Sequence, residues 1–354
     1  MDTKRNNNIG IIHFIGALFV IYVHQYALMG LTPPRIFGSQ IHSVGVKIIF
    51  LISGYLITKS LCSLEGTKLQ ITKCYLKKRI GRIYPEYLAC LLFSAFLIGP
   101  IFSSLPLAEY FSYPILRDGI FPYIINNLRM YISFGLPNVF TGNPINQAVN
   151  GSLWTLPVEF ALYFVLWLIA MIAPKKSIRK WILIALVLLT SLLSFLHITF
   201  FPSSYLIWYG TDWYSALTLA PYFLIGALCS QLDLERFLYP EIGALLVLGT
   251  SGISFDSVLI EPANILILSY IVLSLGFSKK LSGIHFRVIR CEYSYGIYLY
   301  AFPIQQCVIE LIRNTSIVPY NANLCFVIST SITYFVAMLS YKLFFLPLRR
   351  MKWV

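Results

Sequence analysis

Charged residues are scarce along the whole chain. They make up 12% of the 354 residues, whereas 58% of the residues are hydrophobic. Soluble domains carry roughly a quarter charged residues. Because the deficit recurs from one end of the chain to the other, the sequence excludes a soluble domain of useful size. Residues 1–354 are therefore interpreted as a single membrane domain.

The sequence also lacks the polar–apolar alternation of a membrane β-barrel. Its apolar runs are continuous, and a helix needs about 20 such residues to cross about 30 Å of hydrocarbon. These runs predict an all-α, polytopic bundle of about ten transmembrane helices. The predicted spans are residues 9–31, 44–64, 84–102, 154–173, 181–198, 214–231, 237–252, 262–277, 293–312 and 323–346.

Neither the cysteines nor the basic residues point to a metal or to nucleic acid. The seven cysteines are scattered without a metal-ligand spacing, so we expect free thiols and no metal site. The net charge is +13, but it is spread over several segments between spans and no nucleic-acid-binding motif accompanies it. We expect membrane lipids, and no nucleic acid, among the partners.

The basic residues instead predict the orientation of the chain, because they stay on the cytoplasmic side of a membrane. With the N-terminus placed inside, 21 of the 27 Lys and Arg residues fall in inner segments and four in outer ones. This asymmetry predicts that both termini are cytoplasmic, which requires an even number of spans. The localisation expected is the bacterial inner (plasma) membrane.

Two histidines lie in the first span, where an ionisable group is costly and is commonly functional. His13 and His24 are eleven residues apart, so both project from one face, about 16 Å apart along the helix axis. His13 then lies in the inner part of the membrane and His24 in the outer part. The alternative is a pair of histidines that are hydrogen-bonded inside the bundle.

The fourth span begins with a second group of candidate residues. Glu159 and Tyr163 are four residues apart and share a helix face near the outer surface. At a depth similar to that of His24, Glu159 could orient or activate a base that acts on a hydroxyl. The alternatives are a structural carboxylate at Glu159 and an interfacial belt residue at Trp154.

A basic segment precedes the third span. Arg79 and Arg82 are three residues apart and share a helical face at the inner surface. Arginines there could bind the phosphates of a cytosolic, nucleotide-like donor. From the spacing alone, ordinary positive-inside charge or contact with anionic lipid is the better explanation of these arginines.

Taken together, these segments resemble the membrane acyltransferase-3 family over nearly the whole chain. The motifs that carry the resemblance are FIGALFVIYVH (14–24), GVKIIFLISGYLI (45–57), KRIGRIYP (78–85), SLWTLPVE (152–159) with Tyr163, APYFLIG (220–226) and YSYGIYLYAFP (293–303). Two positions depart from the family's pattern. His13 stands where an arginine is usual, and Tyr300-Ala301 stands where many members have Trp-His.

The resemblance implies acetyl-CoA as the acyl donor and a carbohydrate hydroxyl as the acceptor. It implies catalytic roles for His24, Glu159 and His13. It places Arg79, Arg82 and Tyr84 at the donor, and Trp154, Tyr163 and Ser53 at the acceptor.

We therefore expect an O-acetyltransferase that modifies a surface polysaccharide (O-antigen, capsule or exopolysaccharide) or its lipid-linked precursor. One alternative is a transporter or flippase for lipid-linked sugar, although such proteins are often built from repeats and none is found here. The other is a non-catalytic homologue, which the substitution at His13 makes conceivable, since a neutral imidazole does not replace a fixed guanidinium charge.

Overall fold

The structure, a computed structural model, describes residues 8–36, 39–113, 119–250, 261–278, 291–315 and 320–350. Within these ranges the chain forms helices and two short hairpins. The helices are α1 (Ile9–Leu28), α2 (Ile41–Cys62), α3 (Lys68–Phe93), α4 (Gly99–Phe102), α5 (Leu107–Ser112), α6 (Ile120–Leu128), α7 (Thr155–Ile172), α8 (Lys176–Phe200), α9 (Trp213–Leu232), α10 (Pro240–Thr250), α11 (Glu261–Phe277), α12 (Ser294–Arg313), α13 (Ala322–Ser340) and α14 (Leu346–Arg350). The hairpins pair β1 (Arg35–Ile36) with β2 (Ser39–Gln40) and β3 (Ile207–Trp208) with β4 (Thr211–Asp212), both antiparallel.

Each of the ten predicted spans overlaps a helix in the part of the chain that the structure describes, which confirms the helical class. Seven helices in the described part of the chain are long and apolar enough to cross a membrane: Ile9–Leu28, Ser43–Cys62, Lys68–Phe102, Gly151–Ile172, Lys176–Phe200, Trp213–Leu232 and Ala322–Arg349. The apolar helices at Pro240–Gly249 and Pro262–Phe277 are shorter. Helix α12 is 20 residues long but carries two glutamines, a glutamate and an arginine among its apolar residues.

The third helix begins well before its apolar run, because the chain is capped there. Thr67 accepts a hydrogen bond from the backbone N–H of Gln70 at 3.3 Å, and Gln70 accepts one from the N–H of Thr67 at 2.8 Å. This capping box starts α3 at Lys68. The basic segment that precedes the third predicted span is therefore helical, and α3 continues through a π-helical turn (Ser94–Ile98) into α4.

Helices α2 and α9 touch backbone to backbone through two glycines. A Cβ atom added at Gly54 would lie 1.9 Å from the carbonyl oxygen of Phe223, and one added at Gly226 would lie 2.0 Å from that of Leu51. Small residues are what allow two membrane helices to approach so closely. This contact holds α9 against α2.

One end of the bundle carries the basic segments, and we call it the basic end. Helix α2 ends there at Cys62, α3 begins there at Lys68, and α8 begins there at Lys176. At the opposite end, the segment between α6 and α7 is tied to α12. Asn143 donates hydrogen bonds to the backbone and side-chain oxygens of Gln306, which itself donates to the carbonyls of Ile145 and Ala148.

Candidate functional site

Arg79 lies inside the bundle towards its basic end. Its guanidinium group is 5.7 Å from the ring centre of Tyr75 and 6.0 Å from that of Tyr163, so it lies close to two aromatic faces. Its Nη2 donates to the hydroxyl of Ser60 at 3.5 Å. Tyr75 in turn donates to the backbone carbonyl of Tyr163 at 3.0 Å, which joins α3 to α7 at this level.

Arg82 points to a different part of the interior. Its guanidinium group lies 5.5 Å from the ring centre of Tyr295 on α12 and 5.1 Å from that of Phe345, in the π-helical turn after α13. The two arginines share a helix, as the spacing predicts, but their charged groups contact different neighbours. Neither has a carboxylate within salt-bridge distance in the part of the chain that the structure describes.

Glu159 is half-buried on α7 and accepts a hydrogen bond from the hydroxyl of Tyr163, as the four-residue spacing predicts. The ring of Tyr163 also lies 6.0 Å from the guanidinium group of Arg79, so Glu159 lies near this arginine. The contact described for His24 is with Phe302, so the expected pairing of Glu159 with His24 stays a prediction.

The direction of α7 sets the depth of Glu159 in the bundle. This helix starts at the end of the bundle opposite to the basic one and runs towards the basic end, and each residue along it advances about 1.5 Å. Glu159 therefore lies deeper than the start of α7, at the level of the arginines. His24 lies nearer that start, because its ring packs edge-to-face on Phe302 at 5.5 Å and Phe302 also covers Gly151.

The two histidines of α1 consequently belong to different surroundings. His13 lies close enough to Arg82 to feel its charge. His24 is about 16 Å further along the same helix, against Phe302 of α12. The structure thus places His13 on the side of Arg82, and His24 against α12.

The remaining predicted site residues are Trp154, Tyr84 and Ser53. Trp154 ends the short turn before α7, and its carbonyl accepts a hydrogen bond from Thr211 at 3.1 Å. The hydroxyl of Tyr84 donates to the carbonyl of Leu128 at 3.1 Å, which ties α3 to α6. Ser53 is half-buried on α2, beside the glycine that contacts α9.

Glu86 was missed by the sequence interpretation. It follows Pro85 on α3, it is fully buried, and both of its carboxylate oxygens lack a hydrogen-bond donor among the described residues. It lies one turn after Arg82 on the same helix. The argument applied to Glu159, that a carboxylate inside an apolar span is expensive, applies equally to Glu86 and would have identified it.

The fold and these side chains define a helical membrane protein whose interior holds two arginines, two glutamates and two histidines on its first helix. The chain belongs to the acyltransferase-3 family, whose profile, described as an acyltransferase domain, matches residues 6–342. It is an acyltransferase. A similar protein is the O-acetyl transferase of Shigella phage Sf6, which is 27% identical over 327 residues, 84% of each chain. No solved structure matches.

Proposed function

We propose that this acyltransferase moves an acetyl group from cytosolic acetyl-CoA to a hydroxyl of a cell-surface polysaccharide or its lipid-linked precursor. The name of the phage relative supports O-acetyl transfer. The observation that carries the donor side is the pair Arg79 and Arg82, held among aromatic rings with no salt-bridged carboxylate in the described chain. Arginine groups in this state are available to phosphate oxygens, which they bind in bidentate form.

The proposed orientation puts the basic end in the cytoplasm. Lys59, Lys68 and Lys176 mark this end, and basic residues are retained on the cytoplasmic side of the membrane. The ten spans predicted from the sequence then all cross the inner membrane, and both termini are cytoplasmic. In this arrangement the donor enters at the arginines and the acceptor approaches from the side of His24.

The proposed chemistry assigns the proton to His24. Its imidazole takes the proton of the acceptor hydroxyl as that oxygen attacks the acetyl carbonyl, and the bond from the carbonyl carbon to sulfur breaks. The CoA thiolate leaves and is protonated. The pantetheine arm of CoA is long. The phosphates of CoA can therefore stay at Arg79 and Arg82 while the thioester reaches towards His24.

The acceptor contacts are proposed for Trp154, Tyr163 and Ser53. An aromatic ring offers an apolar face and, for Trp and Tyr, a polar edge, which suits a sugar ring that presents both C–H groups and hydroxyls. Tyr163 also contacts Arg79 and donates a hydrogen bond to Glu159, so it lies at the level of the arginines.

The test is acetyl transfer by membranes that contain the protein, with labelled acetyl-CoA and the polysaccharide of the producing cell. We expect label in the glycan and a mass increase of one acetyl unit per modified repeat, both lost without the gene. An unchanged glycan mass together with altered export of lipid-linked sugar would contradict the proposal and favour a transporter.

A further inference from the structure

The hairpin of β3 and β4 has no role in the proposed chemistry. It connects α8, which begins at the basic end, to α9, so it lies beyond two long apolar helices at the opposite end of the bundle. Its tip is Tyr209-Gly210, and both residues have a positive φ, of 56° and 66°. Such a turn favours Asn-Gly, because a bulky side chain is strained in the left-handed region. Tyr209 is thus held in a strained conformation, which is typical of functional sites.

The tip of the hairpin is fixed against the segment that follows α6. The carbonyl of Tyr209 accepts a hydrogen bond from the N–H of Ile132 at 3.0 Å, and a Cβ atom added at Gly210 would lie 2.2 Å from the carbonyl oxygen of Ile132. At the base of the hairpin, the indole N–H of Trp213 donates to the carbonyl of Trp208 at 3.1 Å. The hairpin therefore holds its aromatic side chains in defined positions.

Four aromatic rings meet around this tip, and we call them the aromatic patch: Tyr131, Trp208, Tyr209 and Trp213. The ring centre of Tyr209 lies 5.6 Å from that of Tyr131 and 4.8 Å from that of Trp208. The ring centres of Trp208 and Trp213 are 5.9 Å apart. Trp208 is 63% exposed, Tyr131 50% and Tyr209 42%. The rings therefore pack on one another and still offer a continuous surface to a partner.

The aromatic patch adjoins the acceptor side of the proposed site. The hydroxyl of Thr211, in β4, donates a hydrogen bond to the carbonyl of Trp154 at 3.1 Å. Trp154 is one of the proposed acceptor contacts, so the hairpin and this contact belong to one hydrogen-bonded unit.

An interfacial belt is the alternative explanation of the patch, because Trp and Tyr are enriched where membrane helices end. A belt accounts for Trp213, which begins α9. It does not account for the strained conformation of Tyr209 or for the contribution of Tyr131, which follows the short helix α6 outside the predicted spans.

We propose that the aromatic patch is a second carbohydrate subsite, which binds a sugar unit of the acceptor other than the one that is acetylated. The inference rests on the proposed transfer to a polysaccharide. Trp and Tyr rings present an apolar face and a polar edge and lose little conformational entropy on binding, which suits the C–H groups and hydroxyls of a sugar ring. A polymer carries further sugar units beside the reacting one, so a neighbouring unit can occupy the patch.

The test compares Tyr209→Gly, Tyr209→Phe and Trp208→Ala by their kcat and by the KM for each substrate, with the de-O-acetylated polysaccharide of the producing cell as the acceptor. Glycine suits a left-handed turn, so Tyr209→Gly removes the ring and keeps the hairpin. Tyr209→Gly and Trp208→Ala should each raise the acceptor KM roughly three- to tenfold, the scale of one aromatic contact. Their kcat and their KM for acetyl-CoA should stay within about twofold, as should every constant of Tyr209→Phe, which keeps the ring.

The matched control is Trp181→Ala. Trp181 is 62% exposed near the start of α8, at the basic end, and its ring centre lies 4.7 Å from the ammonium group of Lys180. It has the position of a belt residue, so its replacement should leave the acceptor KM unchanged.

The possible failures are distinguishable. If the natural protein transfers no acetyl group to the polysaccharide, the proposed function is wrong and the subsite with it. If the natural protein is active and Tyr209→Gly keeps its acceptor KM, the subsite is overturned and the patch is a belt at the membrane surface. An acceptor KM that rises as much in Tyr209→Phe or Trp181→Ala as in Tyr209→Gly would also contradict it. If Trp208→Ala does not accumulate in the membrane, the two Tyr209 variants decide.

Discussion

At the scale of single residues, the different neighbours of Arg79 and Arg82 determine what each can bind. Arg79 lies between α2, α3 and α7, whereas Arg82 lies against α12 and the turn after α13. Two guanidinium groups that point to different neighbours are suited to two separate phosphate groups rather than to one. We therefore expect their contributions to donor binding to be largely independent.

The first prediction follows for these arginines. Arg79→Gln and Arg82→Gln should each raise the KM for acetyl-CoA by about tenfold or more, the scale of a charge-assisted contact to phosphate. The effects should add in the double variant, because neither group is the partner of the other. Kinetics in membranes, normalised to the amount of inserted protein, check this. An unchanged KM for acetyl-CoA in both variants would contradict donor binding. The two arginines would then serve only as positive charges that orient the protein in the membrane.

His24 gives the second prediction. The only other histidine that shares its helix face is His13, about 16 Å away and out of reach of the same hydroxyl. His24→Gln should therefore reduce transfer by roughly a hundred- to ten-thousandfold, the usual contribution of a general base. The matched control is His197→Gln on α8, whose ring stacks on Tyr214 at 4.4 Å. If His24→Gln keeps most of the natural rate, His24 is not the base.

His13 gives the third prediction, with the opposite sign. His13→Arg restores the residue that is usual in the family and adds a fixed positive charge beside Arg82. Transfer should be kept or increased, with a donor KM equal to or below that of the natural protein. The measurement is the same initial-rate assay over a range of acetyl-CoA concentrations, and a marked loss of rate at saturating donor would contradict it.

The sequence was informative about which residues are unusual and less so about which of them meet. The histidines, Arg79, Arg82 and Glu159 stand out as ionisable groups in or beside apolar helices, and the spacing of Glu159 and Tyr163 predicts their observed contact. The pairing of Glu159 with His24 stays a prediction, since the contacts described for the two residues are with other side chains. Partners on other helices, such as the rings around Arg82, depend on packing that the chain order does not reveal.

At the scale of helices, the contact between α2 and α9 requires glycine at two positions, because the two backbones approach so closely. Periodicity and apolar length located both helices, but they gave no indication that Gly54 and Gly226 bring the two backbones together. The boundary of α3 was also missed. A capping box at Thr67 extends it through a basic, polar segment that hydropathy alone leaves outside the span.

The fourth prediction tests this helix contact. Gly54→Ala and Gly226→Ala would each place a methyl group about 2 Å from a carbonyl oxygen, so the helices must separate. We expect a loss of stability of at least about 1–3 kcal/mol and less folded protein in detergent. Gly249→Ala on α10 is the control, because nothing lies within 4 Å of the added atom. It should be neutral or stabilise by up to about 1 kcal/mol. Equal thermal stability of all three variants would contradict the packing.

At the scale of the whole molecule, the fifth prediction concerns the sidedness of the bundle. In a background without natural cysteines, Asn146→Cys should react with an impermeant thiol reagent applied from outside, because this exposed residue lies at the end proposed to face outwards. Glu65→Cys, in the exposed connection between α2 and α3, should react only after the membrane is permeabilised. The reverse pattern would overturn the orientation.

The α2–α9 contact also has a consequence for biosynthesis. The chain emerges from the ribosome in order, and α9 begins at Trp213, long after α2 has ended at Cys62. The ammonium group of Lys47 on α2 lies 5.2 Å from the ring centre of Tyr222 on α9. Part of the surroundings of this buried group is therefore synthesised only with α9. A nascent chain must therefore keep α2 in the membrane without its partner until much of the protein has been translated. Assembly of this half of the bundle is a late step, and chains that terminate before α9 should be preferred substrates of membrane quality-control proteases.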